Sequence, residues 1–164
     1  MNTDAVQFAG FWRRLGAALI DLVLVMTLTA PLLYLLYGQA YFSWLSEHPE
    51  LLNYYDLWET LLTRVLPVAA LILFWTRTGA TPGKRLMHCK IVDARTHQLP
   101  SIKQAIIRFI CYAVSSLPFN LGFFWIGWDK RKQGFHDKLA RTVVLYAPDD
   151  YAQQSLRELM HEVK

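Results

Sequence analysis

Long apolar blocks, separated by polar and charged stretches, dominate the chain. They cover about residues 15–37, 57–75 and 104–128. At about 1.5 Å per residue, the first block is long enough to cross the roughly 30 Å hydrocarbon core of a bilayer. We therefore predict an all-α membrane protein, in which the first two blocks form a transmembrane helical hairpin and the third adds another helical segment.

The third block contains helix-breaking residues near its middle. The stretch Ser115-Ser-Leu-Pro-Phe-Asn-Leu-Gly122 combines a proline, a glycine and turn formers. Two arms of about a dozen residues each reach only about 18 Å, which is less than the thickness of a bilayer. We predict a broken or re-entrant helical segment, and a single long crossing stays open as the alternative.

The positions of Lys and Arg predict the orientation. Residues 38–60 contain neither and carry several acidic residues, whereas residues 76–103 are rich in basic ones. Because cytoplasmic loops carry the excess of Lys and Arg, we expect the N-terminus and the 76–103 loop inside and residues 38–60 outside. A returning third block would also keep inside the later basic cluster, which consists of Lys130, Arg131, Lys132, Lys138 and Arg141.

Shorter patterns lie between and after the blocks. The sequence Ser101-Ile-Lys-Gln104 has the form of a capping box and predicts the start of the third helix. The β-branched runs at 90–93 and 142–146 predict a small cytoplasmic strand pair as one possibility. We divide the chain into a membrane domain, 1–147, and a charged cytoplasmic tail, 148–164, with a short helix.

The composition and charge of the chain indicate which kinds of molecule it can bind. Of 164 residues 54% are hydrophobic, and the formal net charge is +4. The basic loops carry no nucleic-acid-binding motif, so we expect them to face anionic lipids of the inner leaflet, with Lys84 and Arg85 contacting lipid phosphates. Neither a catalytic constellation nor a diagnostic metal-ligand spacing is present, so we expect no enzyme and no cofactor.

Several motifs taken together resemble the RDD family of bacterial membrane proteins, which is named for one arginine and two aspartates. They are Ala9-Gly-Phe-Trp-Arg-Arg-Leu-Gly-Ala-Ala-Leu-Ile-Asp21, Thr81-Pro-Gly-Lys84, Arg108, and the Asp129–Val144 stretch with its His-Asp-Lys-Leu-Ala-Arg-Thr sequence. The resemblance covers about residues 8–146. It implies that Arg14 is the family arginine, Asp21 the first aspartate and Asp137 the second, with Asp129 as a nearby candidate.

The same resemblance implies a multi-spanning protein of the bacterial inner membrane. Transport, including sodium or proton exchange, is suggested for some members of the family. Three spans or so enclose only a small cavity, so transport would need a homo-oligomer.

The charges within the apolar blocks predict ion pairs. An ionised carboxylate is costly in hydrocarbon, so Asp21 needs a partner or a water-filled cavity. Asp21 and Arg108 lie at a similar depth, counted along their helices, and we predict an ion pair between them. We expect Arg14, nearer the inner interface, to meet Asp137 or Asp129.

Two functional hypotheses follow from these charges. In the first, the chain is a small transporter or cation/proton exchanger in which Asp21 binds the ion. In the second, the charges only hold the helices together, and the chain is a membrane scaffold or assembly partner.

Overall fold

The described part of the chain is mostly helical, with a small two-stranded sheet. A computed structural model describes residues 7–47, 57–117, 119 and 121–148. The helix predicted in the charged tail after residue 148 lies outside the described residues.

The helices and strands follow one another in a simple order. The described elements are α1 (Phe11–Glu47), α2 (Leu57–Thr60), α3 (Leu66–Arg77), α4 (Pro82–Leu86), β1 (Cys89–Asp93), α5 (Ile102–Ser116), α6 (Leu121–Phe124), α7 (Phe135–Ala140) and β2 (Thr142–Tyr146). A π-helical turn, Leu61–Val65, leads from α2 into α3, and a 3₁₀ turn, Trp125–Gly127, follows α6.

Among the residues that the structure describes, two helical stretches are long and apolar enough to cross a membrane. They are Phe11–Ser43, which belongs to α1, and Leu57–Arg77, which runs from α2 to α3. Large apolar side chains along α1 are exposed, up to 80% for Leu35. Leaving such surface in water costs about 25 cal/mol per Å², a cost that lipid removes. The first two predicted spans are thus confirmed as candidate membrane helices.

The helix α1 starts earlier and ends later than the first apolar block. It is kinked at Gly38, whose φ of 70° lies in the left-handed region that glycine adopts without steric strain. The kink falls directly after the predicted end of the span at residue 37.

The third block is not one straight helix. Its two helical parts, Ile102–Ser116 and Leu121–Gly127, are bent by 111° relative to each other. The sequence from Ser115 to Gly122, which spans the junction of the two parts, combines proline, glycine and turn formers. This geometry fits either a broken span or a re-entrant loop.

The chain divides into two compact units, Leu22–Leu71 and the combination of Met1–Asp21 with Ile72–Lys164. The second unit holds a core of fully buried apolar side chains. These include Ala9, Ala17, Trp75, Cys89, Ile91, Ala105 and Val144. The elements α4 to α7 and both strands belong to this unit.

The predicted strand pair is confirmed. Strands β1 and β2 are antiparallel, with Ile91 opposite Val144. On the other edge of β2, the amide of Ala9 donates a hydrogen bond to the carbonyl of Val144 at 2.9 Å, and the amide of Tyr146 donates to that of Gln7 at 2.8 Å. The segment before α1 is thereby attached to the sheet.

The predicted start of the third helix is also confirmed. The Ser101 hydroxyl accepts a hydrogen bond from the Gln104 amide, and the Gln104 side chain accepts one from the Ser101 amide, which is a complete capping box. On α5 the buried side chains Ala105, Arg108 and Ser115 share one face, since they are spaced by three and seven residues. This face packs against α7.

Candidate functional site

A buried carboxylate, Asp137, lies between two arginines. Arg14 donates from Nη1 to one carboxylate oxygen at 2.6 Å, and Arg108 donates from Nη1 to the other. Asp137 has no exposed surface, Arg108 is 2% exposed and Arg14 is 9% exposed. We call these three residues the arginine–aspartate cluster.

Both arginines donate further hydrogen bonds to neighbouring groups. Arg14 also donates to the carbonyls of Ala9, at 2.9 Å, and Lys132, at 2.5 Å. Arg108 also donates to the Thr142 hydroxyl at 2.7 Å. The cluster therefore joins the segment before α1 to α5, α7 and β2.

The first turn of α7 aims Asp137 into the cluster. The Gly134 amide, at the helix N-terminus, donates to the Asp137 carboxylate at 2.9 Å. A Cβ on Gly134 would lie 2.9 Å from the carbonyl oxygen of Gly122, at the start of α6. Glycine at 134 thus allows the close packing of α7 on α6 that brings Asp137 opposite α5.

The charge state of Asp137 follows from its neighbours. Burial raises the pKa of its carboxyl, but the guanidinium groups of Arg108 and Arg14 outweigh burial and hold that pKa well below its usual value. Asp137 is therefore ionised at neutral pH. A carboxylate held by two arginines fixes structure and is poorly suited to exchange protons.

Beside the arginine–aspartate cluster, Ser115, His136 and Asp137 lie in the order of a hydrolase triad. The Ser115 hydroxyl is 3.0 Å from His136 Nδ1, and His136 Nε2 is 3.5 Å from the Asp137 carboxylate. Ser115 also accepts a hydrogen bond from the His136 amide, and it has no exposed surface. A serine buried in this way cannot meet a substrate as the structure stands, so we assign these residues to packing.

Burial also sets the protonation of His136. It lowers the pKa of the imidazole to about 3, against an ordinary value of about 6.5. Between these two values the unfolded chain binds a proton that the folded chain does not. The free energy of unfolding should therefore fall as the pH falls from about 6.5, by up to about 1.4 kcal/mol per pH unit.

This pH dependence can be tested with melting curves in detergent between pH 7 and pH 5. The natural chain should melt at lower temperature as the pH falls, and His136→Gln, which keeps a hydrogen-bonding side chain, should show a shallower decline. The exposed His97 provides a matched control as His97→Gln. Equal slopes in all three proteins would contradict the role assigned to His136.

The predicted ion pair between Asp21 and Arg108 is wrong. Arg108 contacts Asp137 and Thr142 instead. The Asp21 carboxylate accepts hydrogen bonds from the Thr81 hydroxyl at 2.5 Å and from the Gly83 amide at 2.7 Å. Depth along two helices does not specify which faces meet, and here α7 occupies the buried face of α5.

The partners of Asp21 come from the motif Thr81-Pro-Gly, whose role the sequence reasoning missed. Thr81 is the N-cap of α4 and Pro82 occupies its first turn. A Cβ on Gly83 would overlap the carbonyl oxygen of Ala17 and lie 2.9 Å from the Asp21 carboxylate. An N-cap signal followed by glycine could have indicated a helix N-terminus that contacts another helix closely.

The remaining predicted contacts concern Lys84, Arg85 and the partner of Arg14. Lys84 is only 8% exposed and its ammonium lies 5.6 Å from the centre of the Trp75 ring, and its contact with lipid phosphate stays a prediction. Arg85 is exposed. Of the two candidate partners of Arg14, the structure brings Asp137 to it, while Asp129 forms an ion pair with Lys138 at 2.5 Å.

Within the described residues, no group of three or more His, Cys, Asp or Glu side chains is placed to hold a metal ion. The two long apolar helices are typical of a helical membrane protein. The profile of the RDD family matches residues 8–141. The chain therefore belongs to the RDD family.

Three similar bacterial proteins are each described only as an uncharacterised protein. RP437 of Rickettsia prowazekii is 38% identical over 96 residues, which cover 57% of this chain and 53% of that protein. YxaI of Bacillus subtilis is 27% identical over 149 residues, covering 84% of this chain and 97% of YxaI. YckC of the same organism is 30% identical over 143 residues, covering 85% of each. No solved structure matches the chain.

Proposed function

We propose that the chain is a multi-pass protein of the bacterial inner membrane that transports a cation or exchanges it for protons, with Asp21 as the ion-accepting group. One observation carries the proposal. Among the described residues, the Asp21 carboxylate has two neutral hydrogen-bond donors, Thr81 and Gly83, and no cationic side chain within 4 Å.

The position of Asp21 makes this arrangement unusual. The residue lies inside the apolar helix Phe11–Ser43 and is half-buried. Acidic residues within membrane helices are costly and mark ion pathways when no counter-charge neutralises them. A carboxylate held by neutral donors can accept a proton or a cation without first breaking an ion pair.

Oxygen ligands for a cation lie close to this carboxylate. The Ala17 carbonyl and the Asp21 carboxylate both approach the position where a Cβ on Gly83 would stand, and the Thr81 hydroxyl contacts Asp21 directly. Hard cations prefer carboxylate, carbonyl and hydroxyl oxygens. The chemistry of this group of atoms therefore suits a small hard cation.

The proposal includes an orientation, with the N-terminus and residues 76–103 cytoplasmic. The distribution of Lys and Arg supports it. We further propose that the third block returns to the cytoplasmic side as a re-entrant segment. Its longer helix, α5, has 15 residues and reaches about 22 Å, and the following helical part is bent away from it by 111°.

A second candidate function is a membrane scaffold or assembly partner. The arginine–aspartate cluster favours a scaffold, because its three charged side chains are buried and paired with one another. Under this alternative Asp21 only attaches α4 to α1.

Ion flux into proteoliposomes separates the two functions. The natural chain should carry a pH-dependent flux under a Na⁺ or K⁺ gradient, and Asp21→Asn should abolish it while the protein stays folded, because Asn keeps size and hydrogen bonding but cannot titrate. Asp93→Asn, in β1 and outside the apolar helices, is the matched control and should retain the flux.

Two outcomes would contradict ion transport by Asp21. A folded Asp21→Asn protein with undiminished flux would exclude Asp21 as the coupling group. A natural chain that carries no flux under Na⁺, K⁺ or proton gradients would favour the scaffold.

A further inference from the structure

A cavity of about 480 Å³ opens between the turn after β1, the loop before α7 and the C-terminal end of α7. Its volume lies within the range of small-molecule pockets. Five cationic side chains and a single carboxylate line it: Arg95, Lys130, Arg131, Lys138, Arg141 and Asp129. We call it the basic cavity.

The single carboxylate of the basic cavity is already paired with a cation and hydrogen-bonded. Asp129 pairs with Lys138 at 2.5 Å and accepts hydrogen bonds from the amides of Arg131, at 3.0 Å, and Gln133, at 3.2 Å. The other four cationic side chains of the basic cavity are exposed and, within the described residues, form no ion pair. The basic cavity therefore has a strong excess of positive charge.

The walls of the basic cavity are fixed to one another. The Ala94 amide donates to the Arg141 carbonyl at 3.0 Å, which ties the turn after β1 to the end of α7. The Gln133 side chain donates to the Thr142 carbonyl at 2.8 Å, which ties the loop before α7 to β2. Because the backbone is held in place, binding would order side chains alone, which lowers its entropic cost.

We propose that the basic cavity binds a phosphate group. Arginine suits this ligand, since its planar guanidinium matches phosphate oxygens with paired hydrogen bonds. The cavity brings arginines from three separate segments, at 95, 131 and 141, around one space. The proposed site is separate from Asp21 and does not rest on ion transport.

The phosphate can belong to the headgroup of an anionic lipid or to a soluble phosphorylated compound. Exposed tryptophans, Trp125 and Trp128, precede the loop that lines the cavity, and the Lys138 ammonium lies 5.5 Å from the centre of the Trp125 ring. Tryptophan is enriched at the level of lipid headgroups, which favours the lipid as the source.

Calorimetric titration of the full chain in a non-ionic detergent tests the site. The probes are dihexanoyl phosphatidylglycerol and inorganic phosphate, each at constant ionic strength because exposed charges are screened by salt. Arg131→Gln with Arg141→Gln should weaken binding about tenfold or more, since charge-assisted hydrogen bonds are lost. Arg77→Gln with Lys103→Gln removes two exposed charges outside the cavity and serves as the matched control.

The pattern across the two probes identifies the source of the phosphate. If the cavity variant weakens binding of the lipid alone, the ligand is a lipid headgroup. If it weakens binding of inorganic phosphate alone, the ligand is a soluble phosphorylated compound. If it weakens binding of both probes, the site recognises the phosphate group itself. Absence of binding to the natural chain, or equal weakening in the two double variants, would overturn the proposal.

Discussion

Replacement of Asp137 by Asn is expected to destabilise the folded protein by about 3–5 kcal/mol, because it leaves two buried guanidinium groups without their anion. Asn keeps the size of the side chain, but it presents an NH₂ donor where arginine donors already point. Thermal melting in detergent, followed by tryptophan fluorescence, measures the loss.

Asp129→Asn is the matched control, since Asp129 also pairs with a basic residue but does so near the surface. Its loss should be about 0–1 kcal/mol. In the Asp137→Asn background, Arg108→Met should lower the free energy of unfolding by less than it does in the natural chain. The reason is that the guanidinium it removes has already lost its anion. Equal stability of Asp137→Asn and Asp129→Asn would rule out the role assigned to the arginine–aspartate cluster.

Gly83→Ala is expected to cost about 1–3 kcal/mol through overpacking. The added Cβ would overlap the Ala17 carbonyl oxygen, which belongs to the backbone of α1 and cannot rotate away. The same methyl group would push the Gly83 amide away from Asp21 and weaken their hydrogen bond.

A second glycine provides the control for that overlap. A Cβ on Gly10 would meet no atom within 4 Å, so Gly10→Ala should leave the melting temperature nearly unchanged. If the two alanine variants melt alike, α4 does not pack on α1 as closely as the structure indicates.

Much of the fold could be predicted, because short sequence patterns specify its helices and strands. The length of an apolar block specifies a membrane helix, the Ser101–Gln104 capping box specifies the start of α5, and β-branched runs specify the two strands. Each of these signals lies within a few residues of the structure that it predicts.

The pairing of Asp21 could not be predicted in the same way. Sequence gives the depth of a residue along its own helix, but not which helix lies opposite it. Here α7 packs on the face of α5 that carries Arg108. The hydrogen-bond donors that contact Asp21 come from Thr81 and Gly83 instead. Both facts depend on packing between segments that are far apart in sequence.

The arginine–aspartate cluster also has a consequence for synthesis. Arg14 and Asp137 are 123 residues apart, so at about 5–20 residues per second the aspartate is made roughly 6–25 s after the arginine. During that interval Arg14 lacks the carboxylate with which it pairs in the folded protein, and water or lipid headgroups must solvate its charge. Insertion of the first helix and final assembly of the domain are therefore separate events. A nascent chain that stops before α7 lacks Asp137, the residue that completes the arginine–aspartate cluster.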